Sequence, residues 1–510
     1  TKRGCPRRPS GPIDGELCKG FYFRMKIGKR PNMRRFLLVI VLSLLISSFS
    51  YADVRMPSVF GSNMVLQRDM KVPIWGWADP GEKILIKSDS GGKWKTKAGS
   101  NGDWMVKIGP FETGEKLNLT IKGSNSITLT NILIGDVWVC SGQSNMAMRV
   151  DQSFNGREEV CNANYPNIRL FSVEHKSSGL LLDDCEGFWE VCSPDSVDGF
   201  SAVGYFFGRH LRTELGVPIG LINDSWGGTR IEPWTPAAAF NSLPELKCTR
   251  NEIEKAGEDF KDNVANSLDQ IQQWVDQSRT AVKTGKDIST LPKMPKHPLE
   301  HEDRPTSLFN AMINPIVPFG IRGAIWYQGE ANRKDGLMYF AKMQALINGW
   351  RNAWDQGDFP FYIVQLSPYR YREDKGIHYL PLFWEAQKKV LSLKNTGMAV
   401  IVDISNINAG HPKNKQDVGK RLALWALAKE YGKKDIVYSG PLYKSMSVEG
   451  DKIRIRFNHV GAGLISRDGK PLTWFSIAGA DGKFVDAVAE IEGDTVLVSS
   501  DSVTNPVAVR

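Results

Sequence analysis

The sequence is short of cysteines, and the few it has are not arranged as a metal site. Seven cysteines occur in 510 residues, and those after residue 52 are Cys140, Cys161, Cys185, Cys192 and Cys248. Five is an odd number, which excludes complete pairing within that part of the chain. Cys185 and Cys192 are close enough in sequence to bridge, and free buried thiols are the alternative. No CxxC pair or cysteine–histidine cluster indicates zinc, so we expect no metal.

Excess positive charge is lacking everywhere except at the N-terminus. The formal net charge is +9, but residues 1–52 hold eleven Lys or Arg side chains against Asp14 and Glu16. The rest of the chain is therefore neutral overall. Nucleic-acid binding loses its electrostatic basis, and we expect no nucleic-acid partner.

A long apolar run is also absent. Phe36–Ile46 spans eleven residues, which at about 1.5 Å per residue falls short of a hydrocarbon core of roughly 30 Å. The basic Met33-Arg34-Arg35 before it and Ser50-Tyr51-Ala52 after it complete the pattern of a secretory signal. We therefore predict a signal peptide at 33–52, an upstream non-native segment at 1–32, and export to the periplasm or exterior with no stable membrane span after cleavage.

The remaining pattern predicts three regions. Residues 53–134 alternate in short runs broken by turns such as DPG and NGD, which predicts a small antiparallel β domain. Residues 135–434 alternate apolar strands with amphipathic helices, which is typical of an α/β fold with a parallel sheet flanked by helices. Residues 435–510 return to strands and end in one, so we expect a C-terminal β region that is truncated at Arg510.

The α/β region is defined by its strands and helices. The predicted strands are 136–142, 218–224, 321–329, 361–367 and 397–405, and the clearest helices are 201–216 and 414–432. Residues 243–300 interrupt the alternation with a charged, helical stretch and then a proline-rich one. They are predicted to form a helical arm, which is either a lid or a solvated surface insertion.

The sharpest motif is Ser141-Gly142-Gln143-Ser144-Asn145-Met146, directly after an apolar strand. Ligands of α/β sheets bind at the carboxyl ends of strands, and a turn there can expose a hydroxyl while aiming backbone N–H groups at an oxyanion. Ser144 is the candidate nucleophile. The motif is not GxSxG, so the usual α/β-hydrolase elbow is excluded.

Two further turns can supply oxyanion donors, and one histidine can supply the base. Gly227, in Ser225-Trp226-Gly227-Gly228, offers a backbone that can approach a ligand, and Gln328 offers a side-chain amide. With the Ser144 N–H, these form the candidate oxyanion hole. His411 follows another predicted strand and is the candidate general base.

These motifs together resemble a known family. SGQSNM, SWGGTRIEPW, WYQGEAN and HPKNKQDVGKRLALWALA are similar to the sialate O-acetylesterase family of the SGNH hydrolases, from about Asp53 to the end of the chain. The resemblance implies an SGNH-type sheet, a serine carboxylic-ester hydrolase, Ser144 as nucleophile, His411 as base, and Ser144, Gly227 and Gln328 as the oxyanion hole. The family is also similar to acetylxylan esterases.

One position departs from the family pattern. SGNH hydrolases usually place Asp three residues before the catalytic histidine, whereas this chain has Asn408 there. An amide can orient the ring without supplying charge. Asp403, Glu330 or a backbone carbonyl are the alternatives, as is a Ser–His dyad.

The expected reaction is hydrolysis of an acetyl ester on a sugar or glycan through an acetyl-enzyme, which needs no cofactor. Trp226, Trp326 and Tyr327 are candidates for stacking on the sugar, and Arg230 for binding a sialic carboxylate. Acetylated xylan or another plant polysaccharide is the alternative substrate. A catalytically decayed carbohydrate-binding protein is the alternative of a different class, and the oligomeric state is left open.

Overall fold

One long strand, β7, organises the fold. The computed structural model describes residues 53–371 and 379–510. The first half of β7 pairs antiparallel with β6 and parallel with β1, and its second half pairs parallel with β10 and β11. The strand therefore crosses position 134 without a break and continues from the N-terminal β region into the central sheet.

The strands in the described residues are β1 (Val65–Gln67), β2 (Val72–Trp77), β3 (Lys83–Ser88), β4 (Lys93–Lys97), β5 (Asp103–Ile108), β6 (Lys116–Lys122), β7 (Ser126–Gly142), β8 (Tyr165–Ser172), β9 (Trp189–Cys192), β10 (Ile219–Ser225), β11 (Gly323–Tyr327), β12 (Phe361–Val364), β13 (Thr396–Ala399), β14 (Leu442–Glu449), β15 (Lys452–Asn458), β16 (Ser476–Ala478), β17 (Val485–Asp486), β18 (Val488–Glu492), β19 (Thr495–Ser499) and β20 (Ala508–Val509).

The α-helices there are α1 (Ser144–Ala147), α2 (Gly156–Cys161), α3 (Pro194–Val197), α4 (Ala202–Leu215), α5 (Lys247–Thr284), α6 (Met338–Trp354), α7 (Tyr379–Lys389) and α8 (Lys415–Lys429).

The central sheet confirms the predicted fold class. Its order is β13-β12-β11-β7-β10-β8-β9, and every pair is parallel except β8 with β9. Helices α4 and α8 bury apolar side chains against one face, and α6 and α7 against the other. Because both faces are covered, the strands can be continuously apolar, as the sequence pattern indicates. All carboxyl ends of the parallel strands lie at one edge.

The C-terminal region forms two small antiparallel sheets, β14-β15-β19-β18 and β17-β16-β20. They share a separate core that includes Ile453, Ile477 and Val498. Antiparallel pairing of β2 with β5, and of β3 with β4 and β6, accounts for the N-terminal region. The C-terminal antiparallel sheets predicted from sequence are therefore present, whereas the N-terminal strands β1, β3, β4 and β6 belong to the same sheet as the central strands, which they join through β7.

The predicted arm is helical. Helix α5 runs for 38 residues, and Ala256 is its one buried residue. The segment after the helix returns along it: Trp274 Nε1 donates to the Ser289 carbonyl at 2.7 Å, and the Phe260 and His297 rings are 4.6 Å apart.

Some sequence predictions fall outside the described residues. The upstream segment 1–32 and the signal peptide 33–52 are among them. Within residues 53–371 and 379–510, no helix is long and apolar enough to cross a membrane. Cys185 and Cys192 are free and buried, so the alternative of free thiols is the one observed.

Candidate active site

Ser144 projects from a tight turn where β7 ends. Gly142 has a φ of 139°, and a Cβ there would come within 2.2 Å of the Tyr327 carbonyl oxygen. A side chain would therefore clash with the neighbouring strand, and only glycine permits this close approach. The Gln143 N–H then donates to the same carbonyl at 3.0 Å. Helix α1 begins at the next residue, which places Ser144 at the carboxyl edge of the sheet.

The structure brings Ser144 and His411 together. His411 lies on the loop before α8, and its Nε2 is 2.8 Å from Ser144 Oγ. Both residues line an open cavity of about 530 Å³ with Gly227 and Met148. Partial burial, followed by the positive charge of Lys415, lowers the pKa of His411 below its usual 6.5. The imidazole is therefore mostly neutral at pH 7, the form that accepts a proton.

Gly227 approaches Ser144 from the end of β10. A Cβ on Gly227 would lie 3.4 Å from Ser144 Cβ and 3.9 Å from Ser144 N. The preceding amide, of Trp226, is held by the Gly142 carbonyl at 3.0 Å. The N–H groups of Ser144 and Gly227 have no acceptor among the residues that the structure describes. Two backbone donors are thus available beside the hydroxyl.

Gln328 is not a third donor in this structure, which corrects the expectation from sequence. Its side chain is fully buried, and its amide nitrogen donates to the Thr229 carbonyl at 3.1 Å and to Asn332 Oδ1 at 2.8 Å. Its oxygen accepts from the Tyr339 hydroxyl at 2.8 Å. Both amide hydrogens already have acceptors, so Gln328 stabilises the core beneath the site.

Two of the three candidate sugar-stacking aromatics are buried. Trp326 packs among other rings in the core, and Tyr327 is fully buried with the Lys415 Nζ 4.9 Å from its ring centroid. Neither can meet a sugar, because the sheet and its covering helices enclose them. Trp226 is partly exposed, with one face covered by the His175 ring at 4.3 Å.

Arg230 is held in an ion-pair cluster. Its guanidinium lies 3.0 Å from Glu232 and 3.3 Å from Asp335, and Lys342 contacts the same two carboxylates. Two cations and two anions satisfy one another here. The guanidinium of Arg230 is thus already paired with two carboxylates of the protein, and binding of a substrate carboxylate by Arg230 stays a prediction.

The three candidates for orienting His411 form hydrogen bonds with different partners. Asp403 forms a bidentate pair with Arg421 at 2.6 Å, which removes it from the imidazole. Asn408 contributes a backbone N–H to Asn406 and no side-chain hydrogen bond among the described residues. Glu330 does not contact the ring, but it accepts from the Asn145 amide, which also donates to the Gly410 carbonyl. Of the three candidate side chains, Glu330 is the one that is linked to the backbone next to His411 through the Asn145 amide.

Sequence reasoning missed three polar residues around the site. Gln143 Oε1 accepts from the backbone N–H groups of Gly329 and Ala331, which fixes the turn after β11. Asn145 and Lys415 are fully buried. The one signal in the sequence is the position of Gln143 and Asn145 on either side of Ser144.

Within the described residues, no group of three or more His, Cys, Asp or Glu side chains is placed to hold a metal ion. The chemistry available at the cavity is that of a hydroxyl, a neutral imidazole and two backbone N–H donors, which suits acyl transfer.

Comparison with known proteins agrees with this chemistry. The family model for carbohydrate esterases, sialic acid-specific acetylesterase, matches residues 134–266 and 293–426. Sialate O-acetylesterase of Mus musculus is 30% identical over 81% of this chain and 80% of its own, and that of Homo sapiens is 31% identical over 81% and 79%. A carbohydrate acetylesterase from Xanthomonas citri superposes with a TM-score of 0.74 at 34% identity, covering 90% of this chain and 94% of its own.

The fold and the site define a carbohydrate O-acetylesterase, an enzyme that hydrolyses ester bonds. The chain belongs to the carbohydrate esterase family of sialic acid-specific acetylesterases.

Proposed function

We propose that this enzyme removes acetyl groups from O-acetylated sialic acid, with Ser144 as nucleophile and His411 as general base. The observation that carries the proposal is the 2.8 Å contact between Ser144 Oγ and His411 Nε2 in an open cavity. That contact is within the range of a nucleophile–base hydrogen bond.

In the acylation step, Ser144 Oγ attacks the acetyl carbonyl while His411 Nε2 accepts its proton. The carbonyl oxygen becomes an oxyanion beside the N–H groups of Ser144 and Gly227, which stabilise the charge. Collapse of this intermediate breaks the bond to the sugar oxygen, and His411 returns the proton to that oxygen. The products are the deacetylated sugar and an acetyl ester on Ser144.

In the deacylation step, His411 removes a proton from water, which attacks the acetyl-enzyme through a second oxyanion at the same donors. Acetate leaves, and Ser144 Oγ recovers its proton from His411. The balance of atoms needs only water.

The lowered pKa of His411 predicts where activity declines in acid. A base is inactive when protonated, so kcat/KM falls as pH falls through the folded-state pKa of the free enzyme. Because burial and Lys415 lower that pKa, we expect the half-maximal point of the acid limb below pH 6.5. A pH profile of kcat/KM with an uncharged acetyl ester measures it, and a midpoint above 6.5 contradicts the assignment.

Lys413 supports an anionic sugar as the substrate. It is exposed, lines the cavity with Ser144 and His411, and forms no ion pair among the described residues. An unpaired ammonium beside the nucleophile attracts a carboxylate, which sialic acid carries and xylose does not. Trp226, next to Gly227, is the remaining aromatic candidate for contact with the sugar.

We expect Lys413→Gln to raise KM for O-acetylated sialic acid about fivefold to tenfold, with little change in kcat. The KM for a neutral acetylated sugar should stay within twofold. Lys420→Gln, an exposed lysine on α8, is the matched control and should change neither value. Equal effects on charged and neutral substrates would contradict this role.

The test of the substrate class is acetate release from O-acetylated sialic acid and from acetylated xylan at equal enzyme concentration. A higher kcat/KM with sialic acid supports the proposal, and a higher value with xylan replaces it with the polysaccharide alternative. Inactivity on both, with glycan binding retained, favours a decayed carbohydrate-binding protein.

Export belongs to the same proposal. A basic head, an apolar run and small residues at 33–52 support it. The mass of the mature N-terminus tests it: a secreted chain that begins before Met33 contradicts the predicted signal.

A further inference from the structure

A buried polar cluster lies directly beneath the nucleophile and the base. Its members are Asn145, Glu330 and Lys415. The Asn145 side chain donates through Nδ2 to Glu330 Oε1 at 2.5 Å and to the Gly410 carbonyl at 3.0 Å. Its Oδ1 accepts from Lys415 Nζ at 2.5 Å. The Asn145 amide thus donates both of its hydrogens and accepts with its oxygen, and the three hydrogen bonds reach three different segments of the chain.

The position of Asn145 in the chain connects the cluster to the nucleophile and to the base. Asn145 follows Ser144 directly, and the Gly410 carbonyl directly precedes His411. The bond between Asn145 and Gly410 therefore ties the residue after the nucleophile to the residue before the base. Lys415, the first residue of α8, and Glu330, on the turn after β11, hold the amide from two other directions.

We propose that Asn145, Glu330 and Lys415 are positioning residues that hold His411 against Ser144 through the Gly410 carbonyl, in place of a carboxylate on the imidazole. This inference rests on the proposed roles of Ser144 and His411. Among the described residues, the one hydrogen bond of the His411 ring is to Ser144 Oγ. The ring is therefore oriented through its backbone rather than by a partner on its second nitrogen.

Burying this cluster costs free energy, which a purely apolar contact would avoid. Lys415 is fully buried, and desolvation lowers its pKa to about 7 despite the Glu330 carboxyl. Burial also raises the pKa of Glu330, whose second oxygen has no hydrogen-bond partner within residues 53–371 and 379–510. Contact with the Tyr327 ring compensates the lysine in part. Burial of polar and charged groups costs free energy unless they form hydrogen bonds or ion pairs. Here Glu330 and Lys415 form their hydrogen bonds with Asn145, next to the nucleophile.

The first variant tests the hydrogen bond between the Asn145 side chain and the Gly410 carbonyl. Asn145→Leu keeps the approximate volume and removes all three hydrogen bonds. We expect kcat to fall roughly a hundredfold, the cost of about 1 Å of misplacement between reacting groups. KM for an uncharged ester should change less than threefold, because the cavity wall is intact. A folded variant with kcat within twofold of the wild-type value overturns the proposal.

The second pair separates positioning from packing. Glu330→Gln keeps an oxygen acceptor for the Asn145 amide and mimics the neutral acid, whereas Glu330→Leu removes the acceptor. We expect the glutamine variant to retain most of the wild-type kcat and the leucine variant to lose as much as Asn145→Leu. Equal losses in the two variants, at equal thermal stability, contradict the role of the hydrogen bond.

The third variant gives a readout that a structural role would not move. Lys415 is the charged group that lowers the pKa of His411, so Lys415→Met should shift the acid limb of kcat/KM to higher pH. Lys420→Met, on the same helix and exposed, is the control and should leave the limb in place. Because Lys415→Met also removes the hydrogen bond to Asn145 Oδ1, kcat should fall as well. A folded Lys415→Met with the wild-type kcat and an unchanged limb overturns the proposal, even where Asn145→Leu fails to fold.

These results are distinguishable from failure of the proposed function. If Ser144→Ala retains activity, the assignment of Ser144 as nucleophile is wrong, and the positioning proposal fails together with the proposed function. If Ser144→Ala is inactive and the cluster variants behave as wild type, only the positioning proposal fails.

Discussion

Replacing Ser144 with alanine is expected to lower kcat for acetyl ester hydrolysis by roughly ten-thousandfold or more. The variant lacks the oxygen that forms the acetyl-enzyme, and only the backbone donors and substrate binding remain to accelerate direct attack by water. Initial rates of p-nitrophenol release from p-nitrophenyl acetate measure the loss. The fold should be retained, since Ser144 lines the cavity and its hydroxyl contacts His411 Nε2 rather than a group of the core.

Ser392→Ala is the matched control for this loss. Ser392 is an exposed serine whose hydroxyl donates to the Lys389 carbonyl at 2.7 Å, and its loss should leave kcat unchanged. Residual activity of Ser144→Ala above about one per cent, after contaminating esterases are excluded, would contradict the covalent mechanism.

The second large effect is expected at His411. Without the imidazole, Ser144 has no base and the leaving sugar oxygen no acid, so His411→Ala should lower kcat roughly a thousandfold to ten-thousandfold. The double variant with Ser144→Ala should be no slower than the slower single variant, because nucleophile and base act as one unit. The same p-nitrophenyl acetate assay, run to long times with concentrated enzyme, measures both.

His301→Ala is the control, since His301 is exposed and directly follows the arm. Multiplicative losses in the double variant would show that Ser144 and His411 act independently, which their contact at 2.8 Å argues against.

The central sheet could be predicted because its strands are apolar runs in the sequence. The proximity of Ser144 and His411 could be predicted because each residue directly follows such a strand. Each residue follows a run that is buried on both faces, and parallel strands deliver their following loops to one edge. Strand β8 cannot be recognised from the apolar pattern, for a physical reason. Its Arg169 is buried and donates to the carbonyls of Asn63 and Asn131, so a charged residue interrupts the apolar pattern while it is satisfied by the N-terminal β region.

The polar surroundings of the site could not be predicted because their partners are remote in sequence. Lys415 and Asn145 are 270 positions apart, and a lysine at the start of a helix is ordinarily a solvated residue. The role of Gln328 cannot be read from the sequence for the same reason. Its motif places it near the catalytic edge, but the acceptors that occupy its amide, Thr229 and Asn332, are identified only by the tertiary structure.

The most direct test of the mechanism is covalent labelling with a fluorophosphonate, which reacts with a serine activated by a base. We expect one label per chain on the peptide that contains Ser144, loss of esterase activity in proportion to labelling, and strongly slowed labelling in His411→Ala. Full activity in enzyme labelled at Ser144, or complete inactivation with the label on another residue, would contradict it.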